Sequence, residues 1–178
     1  EACAAAGAVA GKYYPAGATT NAADGPSSPD LVSEALSAME SAGIVLSIHG
    51  EDPDVPSMER EVAFLATVEK ILARWPRLRI VLEHLSTREA VEFVAAGPER
   101  LAATISAHHL LFTLDDMMGG NLNPHLFCKP VIKTAADREA LRAADFSGSP
   151  KFFFGSDSLG DKNKIQAELK NGVLLITL

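Results

Sequence analysis

The sequence predicts an α/β protein built around a parallel sheet, and three observations carry that prediction. Short apolar runs rich in β-branched residues, such as Ile44-Val45-Leu46-Ser47-Ile48 and Ile80-Val81-Leu82, alternate along the chain with stretches of helical apolar spacing. The runs are close to continuously apolar, as in strands covered by helices on both faces. Four of them end in a chemically distinctive residue: Lys12, His49, His84 and Asp157. The carboxyl ends of parallel strands are where α/β folds place their chemistry.

Taken in order, Ala8 to Tyr14 reads as the first strand and carries Lys12. Pro15 to Ser28 is rich in Gly, Ala, Thr, Asn and Pro and reads as a mobile loop. Ser28 can cap the next helix, Pro29 suits its first position and Gly43 can close it. Leu31, Val32, Ala35, Leu36, Met39 and Ala42 form its expected apolar stripe. The Ile44 strand follows, then a turn containing Pro53 and Pro56. Ser57 to Trp75 reads as a helix with Val62, Leu65, Val68, Leu72 and Trp75 on its inner face, stopped by Pro76. After the Leu78 strand, Ser86 and Glu89 have the spacing of a capping box. Arg100 to Ser106 is the fourth strand, with His108 and His109 just beyond it. Met117 to Cys128 is irregular, Thr134 to Ala144 helical, and Lys151 to Gly155 the fifth strand. Asp161 to Leu178 reads as a polar helical stretch followed by the apolar run Val173 to Ile176.

About five strand–helix units result, joined by right-handed crossovers. A closed eight-stranded barrel takes about 250 residues, so these 178 residues make an open sheet or a barrel without its first strands. No Gly-x-Gly-x-x-Gly follows a strand, which counts against a dinucleotide fold. The chain is 47% hydrophobic and 22% charged, with a net charge of −7, an ordinary globular composition that argues against a nucleic-acid surface. No apolar run reaches the roughly 20 residues of a membrane span, and no secretory signal is recognisable. A cytoplasmic protein with two free thiols, Cys3 and Cys128, is expected.

Imidazoles and carboxylates converging from strand ends suit zinc and similar divalent ions. An ammonium repels cations, so Lys12 reads either as a surface lysine or as a carbamate, an anionic two-oxygen ligand that can bridge two metals. His108, His109 and His125 read as structural hydrogen-bonding groups, with His109 also placed for support behind a metal ligand. Thr19 and Thr20 read as turn residues.

Six ordered motifs then carry a resemblance. Lys12-Tyr13-Tyr14-Pro15-Ala16-Gly17-Ala18-Thr19-Thr20-Asn21, Ser47-Ile48-His49-Gly50-Glu51 and Glu83-His84-Leu85-Ser86-Thr87 are the first three. Arg100-Leu101-Ala102-Ala103-Thr104-Ile105 with His108-His109-Leu110, then Asn123-Pro124-His125-Leu126-Phe127-Cys128-Lys129-Pro130 and Gly155-Ser156-Asp157-Ser158, complete the set. Together they resemble the class II dihydroorotases of the amidohydrolase superfamily, over roughly residues 5–158.

The resemblance implies a partial TIM (β/α)8-type barrel over residues 1–158, lacking its first three strands, with a divergent tail at 159–178. It implies two zinc ions bridged by carboxylated Lys12. His49 and His84 would hold the more exposed ion, and Asp157 the more buried one while acting as general base. Thr19, Thr20 and the backbone of Lys129 would bind substrate. The implied reaction interconverts dihydroorotate and N-carbamoyl-aspartate in pyrimidine biosynthesis. The chain departs from the family in having no His-x-His pair, and in reading Leu159-Gly160-Asp161-Lys162 after Ser158 where the family has Ala-Pro-His. A truncated or mis-joined reading frame would account for both departures. A non-catalytic dihydroorotase-like assembly partner is the alternative, and two unpaired apolar sheet edges predict self-association, a homodimer being the simplest form.

Overall fold

The computed structural model describes residues 5–19, 22–157, 166–170 and 173–177. In chain order the elements are β1 (Ala10–Tyr13), α1 (Ser33–Ala42), β2 (Val45–Ile48), α2 (Arg60–Arg74), β3 (Ile80–Leu82) and α3 (Arg88–Ala96). They continue as β4 (Leu101–Ile105), α4 (Ala107–Leu111), α5 (Leu114–Met118), α6 (Ala135–Asp145), β5 (Phe152–Phe154), β6 (Gln166–Lys170) and β7 (Val173–Thr177). Strands β1 to β5 lie side by side, all parallel, in the order of the chain. This is the α/β sheet that the alternation predicts, with the β4 strand between those leading to His84 and Asp157.

The core is the layer between helices and sheet. Leu36 and Met39 of α1, Phe64, Val68 and Ile71 of α2, and Ala90 and Val94 of α3 pack with Leu46, Ile48, Ile80, Leu82, Leu101 and Ile105 of the strands. Leu46 is fully buried in the middle of β2. Leu46→Ala leaves a cavity in the packed core and should cost about 2–5 kcal/mol in urea unfolding.

Several local expectations are corrected by tertiary contacts. Pro29–Val32 forms a 3-10 turn before α1, which throws Leu31 outward at 71% exposure, and Ala42 is exposed as well. Helix α2 starts at Arg60, not Ser57, and buries Glu61, Phe64, Val68 and Ile71, while Val62 faces solvent. Two overlapping apolar stripes exist on this helix. The one beginning at Glu61 turns inward because the Glu61 carboxylate accepts hydrogen bonds from the Ser86 N–H at 2.9 Å and the Thr87 hydroxyl. With the Ser86 N–H engaged there, Thr87 rather than Ser86 caps α3, accepting from the Ala90 N–H at 3.2 Å. His108 and His109 follow the end of β4, as expected, on the short helix α4.

The largest correction concerns the sheet edges. Part of the polar stretch read as helix is strand β6, which pairs antiparallel with β7. Strand β7 in turn pairs antiparallel with β1, placing Leu174 opposite Lys12. Pairing to an available edge has overridden the local helical tendency of Gln166 to Lys170. One side of the five parallel strands is therefore occupied rather than open. On the other side β5 is the last strand, with Phe153 and Phe154 exposed. Among the described residues no helix is long and apolar enough to cross a membrane.

Candidate metal centre

The strand ends bring Lys12, His49 and His84 together. Lys12 lies opposite Ser47 in the β1–β2 register, and His49 follows β2 directly, its N–H donating to the Tyr13 carbonyl at 3.0 Å. His84 lies two residues beyond β3 with a left-handed backbone, φ 45°. Its N–H donates to Thr104 Oγ1 on β4 at 2.7 Å. Thr104 is itself held against Gly155, where an added Cβ would lie 2.8 Å from the Thr104 Cβ, so only glycine fits there. Asp157, after β5, is the other non-glycine residue with positive φ among the described residues, at 50°. Left-handed backbone at non-glycine residues is uncommon and clusters at functional sites.

The hydrogen bonds assign the tautomers. His49 Nε2 lies 2.7 Å from Glu51 Oε2, both residues being buried. A carboxylate oxygen accepts, so Nε2 carries the proton and Nδ1 the lone pair. That lone pair faces His84 Nε2 at 3.2 Å. His84 Nδ1 is buried with no hydrogen-bond partner among the described residues. Burial, reinforced by the positive charge of Lys12, holds His84 well below the usual imidazole range, so its ring is neutral at pH 7.

Lys12 is buried and its ammonium pairs with Glu83, which also accepts from the Ser47 hydroxyl. Burial pushes its pKa down to about 7, against the upward pull of Asp157. A substantial neutral fraction is thereby present at neutral pH, as an amine must be to take up CO2. Asp157 is exposed just beyond the carboxyl end of β5, the same end of the parallel sheet at which His49 follows β2 and His84 follows β3. Thr19 is half-buried on the loop after β1, and Thr20 lies outside the described residues. The Lys129 ammonium donates to the Ala18 carbonyl at 3.0 Å, tying the Thr19 loop to the segment before the cis Pro130.

Known proteins resemble this chain in sequence and in fold. A dihydroorotase of Teredinibacter turnerae is 48% identical over 157 residues, covering 86% of this chain and 46% of that relative. A crystal structure of dihydroorotase from Campylobacter jejuni matches with a TM-score of 0.78 and 45% identity over 88% of this chain and 45% of its own. Across that span the chain is a dihydroorotase homologue. Dihydroorotase from Saccharomyces cerevisiae, solved in complex with 5-fluoroorotic acid, matches with a TM-score of 0.75 and 40% identity over 83% of this chain and 45% of its own. No protein-family model matches the chain. The chain spans just under half the length of the dihydroorotases it matches, and its five parallel strands are a partial barrel of their type.

Three carboxylates support Lys12, His49 and His84, and the sequence alone assigns them no role. Glu51 orients His49, Glu83 pairs with Lys12, and Glu61 pins the turn after His84. The spacing His49-Gly50-Glu51 was the available signal for the first. Glu83 directly precedes His84 in the chain, and only the fold turns its side chain towards Lys12.

Proposed function

We propose that this chain carries part of the zinc site of a dihydroorotase, which interconverts dihydroorotate and N-carbamoyl-aspartate. The observation supporting it most directly is the 3.2 Å separation of His49 Nδ1 and His84 Nε2. Two nitrogens bound to one tetrahedral zinc at about 2.0–2.1 Å stand roughly 3.3 Å apart, so an ion can replace the proton they share with little movement. The donor set fits zinc: two neutral imidazoles, a lysine able to carry a carbamate, and the Asp157 carboxylate. The Glu51 carboxylate behind His49 is the kind of outer partner that fixes a ligating histidine.

In this reading His49 and His84 would hold one ion, and Lys12 as a carbamate together with Asp157 would hold a second. Zinc supplies a Lewis acid that polarises the ring carbonyl and makes water a nucleophile at neutral pH. Asp157 receives the proton of the attacking water and returns it to the departing amide nitrogen. Thr19, Thr20 and the Lys129 backbone would bind the substrate; the 5-fluoroorotic acid complex of the yeast dihydroorotase supports a ligand of that class. Residues 1–158 form the dihydroorotase-like unit and 159–178 its divergent tail, in a cytoplasmic protein. The exposed β5 edge with Phe153 and Phe154 supports self-association as a homodimer, which sedimentation would read.

Two measurements test this. Zinc titration calorimetry of the chain should show binding that His49→Ala and His84→Ala each weaken at least about tenfold, since even an outer partner of a metal ligand is worth that much. The complete native reading frame containing these residues should restore growth without uracil to a dihydroorotase-deficient bacterium. Zinc binding indifferent to both histidines, or no rescue by an expressed frame, would overturn the assignment; no rescue with intact zinc binding would favour the non-catalytic partner.

A further inference from the structure

We infer that His108, His109 and Cys128 form a second cation site, separate from the His49–His84 pair, that takes a thiophilic divalent ion such as zinc. One nitrogen from each imidazole and the Cys128 sulfur all lie within 4.8 Å of one another. The residues come from two parts of the chain: α4, directly after β4, and the segment leading to Pro130. The two rings lie 4.3 Å apart centre to centre.

The surrounding hydrogen bonds prepare these groups as ligands. His109 Nε2 lies 3.0 Å from the Pro130 carbonyl oxygen, which can only accept, so Nε2 carries the proton and Nδ1 keeps its lone pair. A ring N–H held by a backbone carbonyl is the usual support behind a ligating histidine. That Nδ1 and His108 Nε2 flank one hydroxyl, Ser106 Oγ, at 3.1 and 3.3 Å. The Cys128 thiol donates to the same Pro130 carbonyl at 3.2 Å. One backbone oxygen thus aims both the buried histidine and the cysteine. Burial keeps both imidazoles below their ordinary pKa, with His109 at about 3, so each is in the neutral donor form.

Two imidazoles and a thiol are a soft donor set that selects zinc over magnesium or calcium. On binding, the metal–sulfur bond replaces the S–H bond and the proton leaves to solvent. Three protein ligands leave a coordination position open, and the Asp157 charge acts on both His108 and Cys128 from nearby. An ion here links α4 to the segment that carries Lys129.

Cobalt(II) titration of the chain distinguishes this site from the first, because only a thiolate ligand gives a near-ultraviolet sulfur-to-cobalt absorption band. The band is expected in the wild type, in Cys3→Ser and in the His49→Ala/His84→Ala double variant. It should vanish in Cys128→Ser and require at least about tenfold more cobalt in His108→Ala, a change at a half-buried ring that the fold tolerates. Zinc should displace it. The inference fails if no band forms, if the band survives Cys128→Ser, if Cys3→Ser removes it, or if it disappears with His49 and His84.

Discussion

Asp157→Asn is expected to lower dihydroorotate turnover by about 10²–10⁴-fold, the range general base catalysis spans, with little change in stability. Asparagine is nearly isosteric with aspartate and tolerates the left-handed backbone that Asp157 adopts at φ 50°. On the proposed assignment the substitution removes the proton acceptor and leaves the strand end intact. The comparison is made in the complete native reading frame, by following dihydroorotate consumption at saturating zinc. Loss of less than tenfold would remove Asp157 from the chemistry while leaving the His49–His84 pair untouched.

Glu61 governs the largest stability effect. Its carboxylate is buried beneath the turn that follows His84, and burial raises its pKa from 4.5 to about 7, despite hydrogen bonds from Ser86 and Thr87 and the charge of Lys133 that favour ionisation. Because the folded pKa lies above the unfolded one, its contribution to stability is fully present below about pH 4.5 and is lost as the pH rises through about 7. Between pH 5 and pH 8 the wild type should lose about 2.5 kcal/mol relative to Glu61→Gln, read as the difference of their urea midpoints. Taking that difference cancels His84 and His109, whose depressed pKa values act with the opposite sign. Glu61→Ala strands the buried Ser86 N–H and the Thr87 hydroxyl together, and should cost about 3 kcal/mol at pH 5.

What the sequence made legible follows from locality. An apolar run announces a buried strand, and a histidine or lysine at its end is visible in the same few residues. Lys12, His49 and His84 could be picked out for that reason, and the order of the strands came with the crossover rule. Glu61 could not be seen, because a charged residue on an amphipathic helix reads as outward-facing until its partners Ser86 and Thr87 arrive from another part of the chain. The same applies to the inward face of α2, chosen between two stripes by that one carboxylate. His108, His109 and Cys128 are brought together by the irregular segment around the second 3-10 turn, Pro124–Leu126, which carries no periodic signal. Strand β6 was misread because its five residues alternate too briefly to outweigh helical composition, and the edge that captures it lies on β1.

Every strand has two rows of backbone donors and acceptors, and β1 has committed both, one to β2 and one to β7. Any polypeptide that would add further barrel strands beside Lys12 must claim the row that β7 already occupies. Completion of the barrel on that side is therefore an exchange reaction rather than a docking. At high concentrations of the incoming piece, its rate would be set by how often the β6–β7 hairpin lets go, and so would stop rising with the amount supplied.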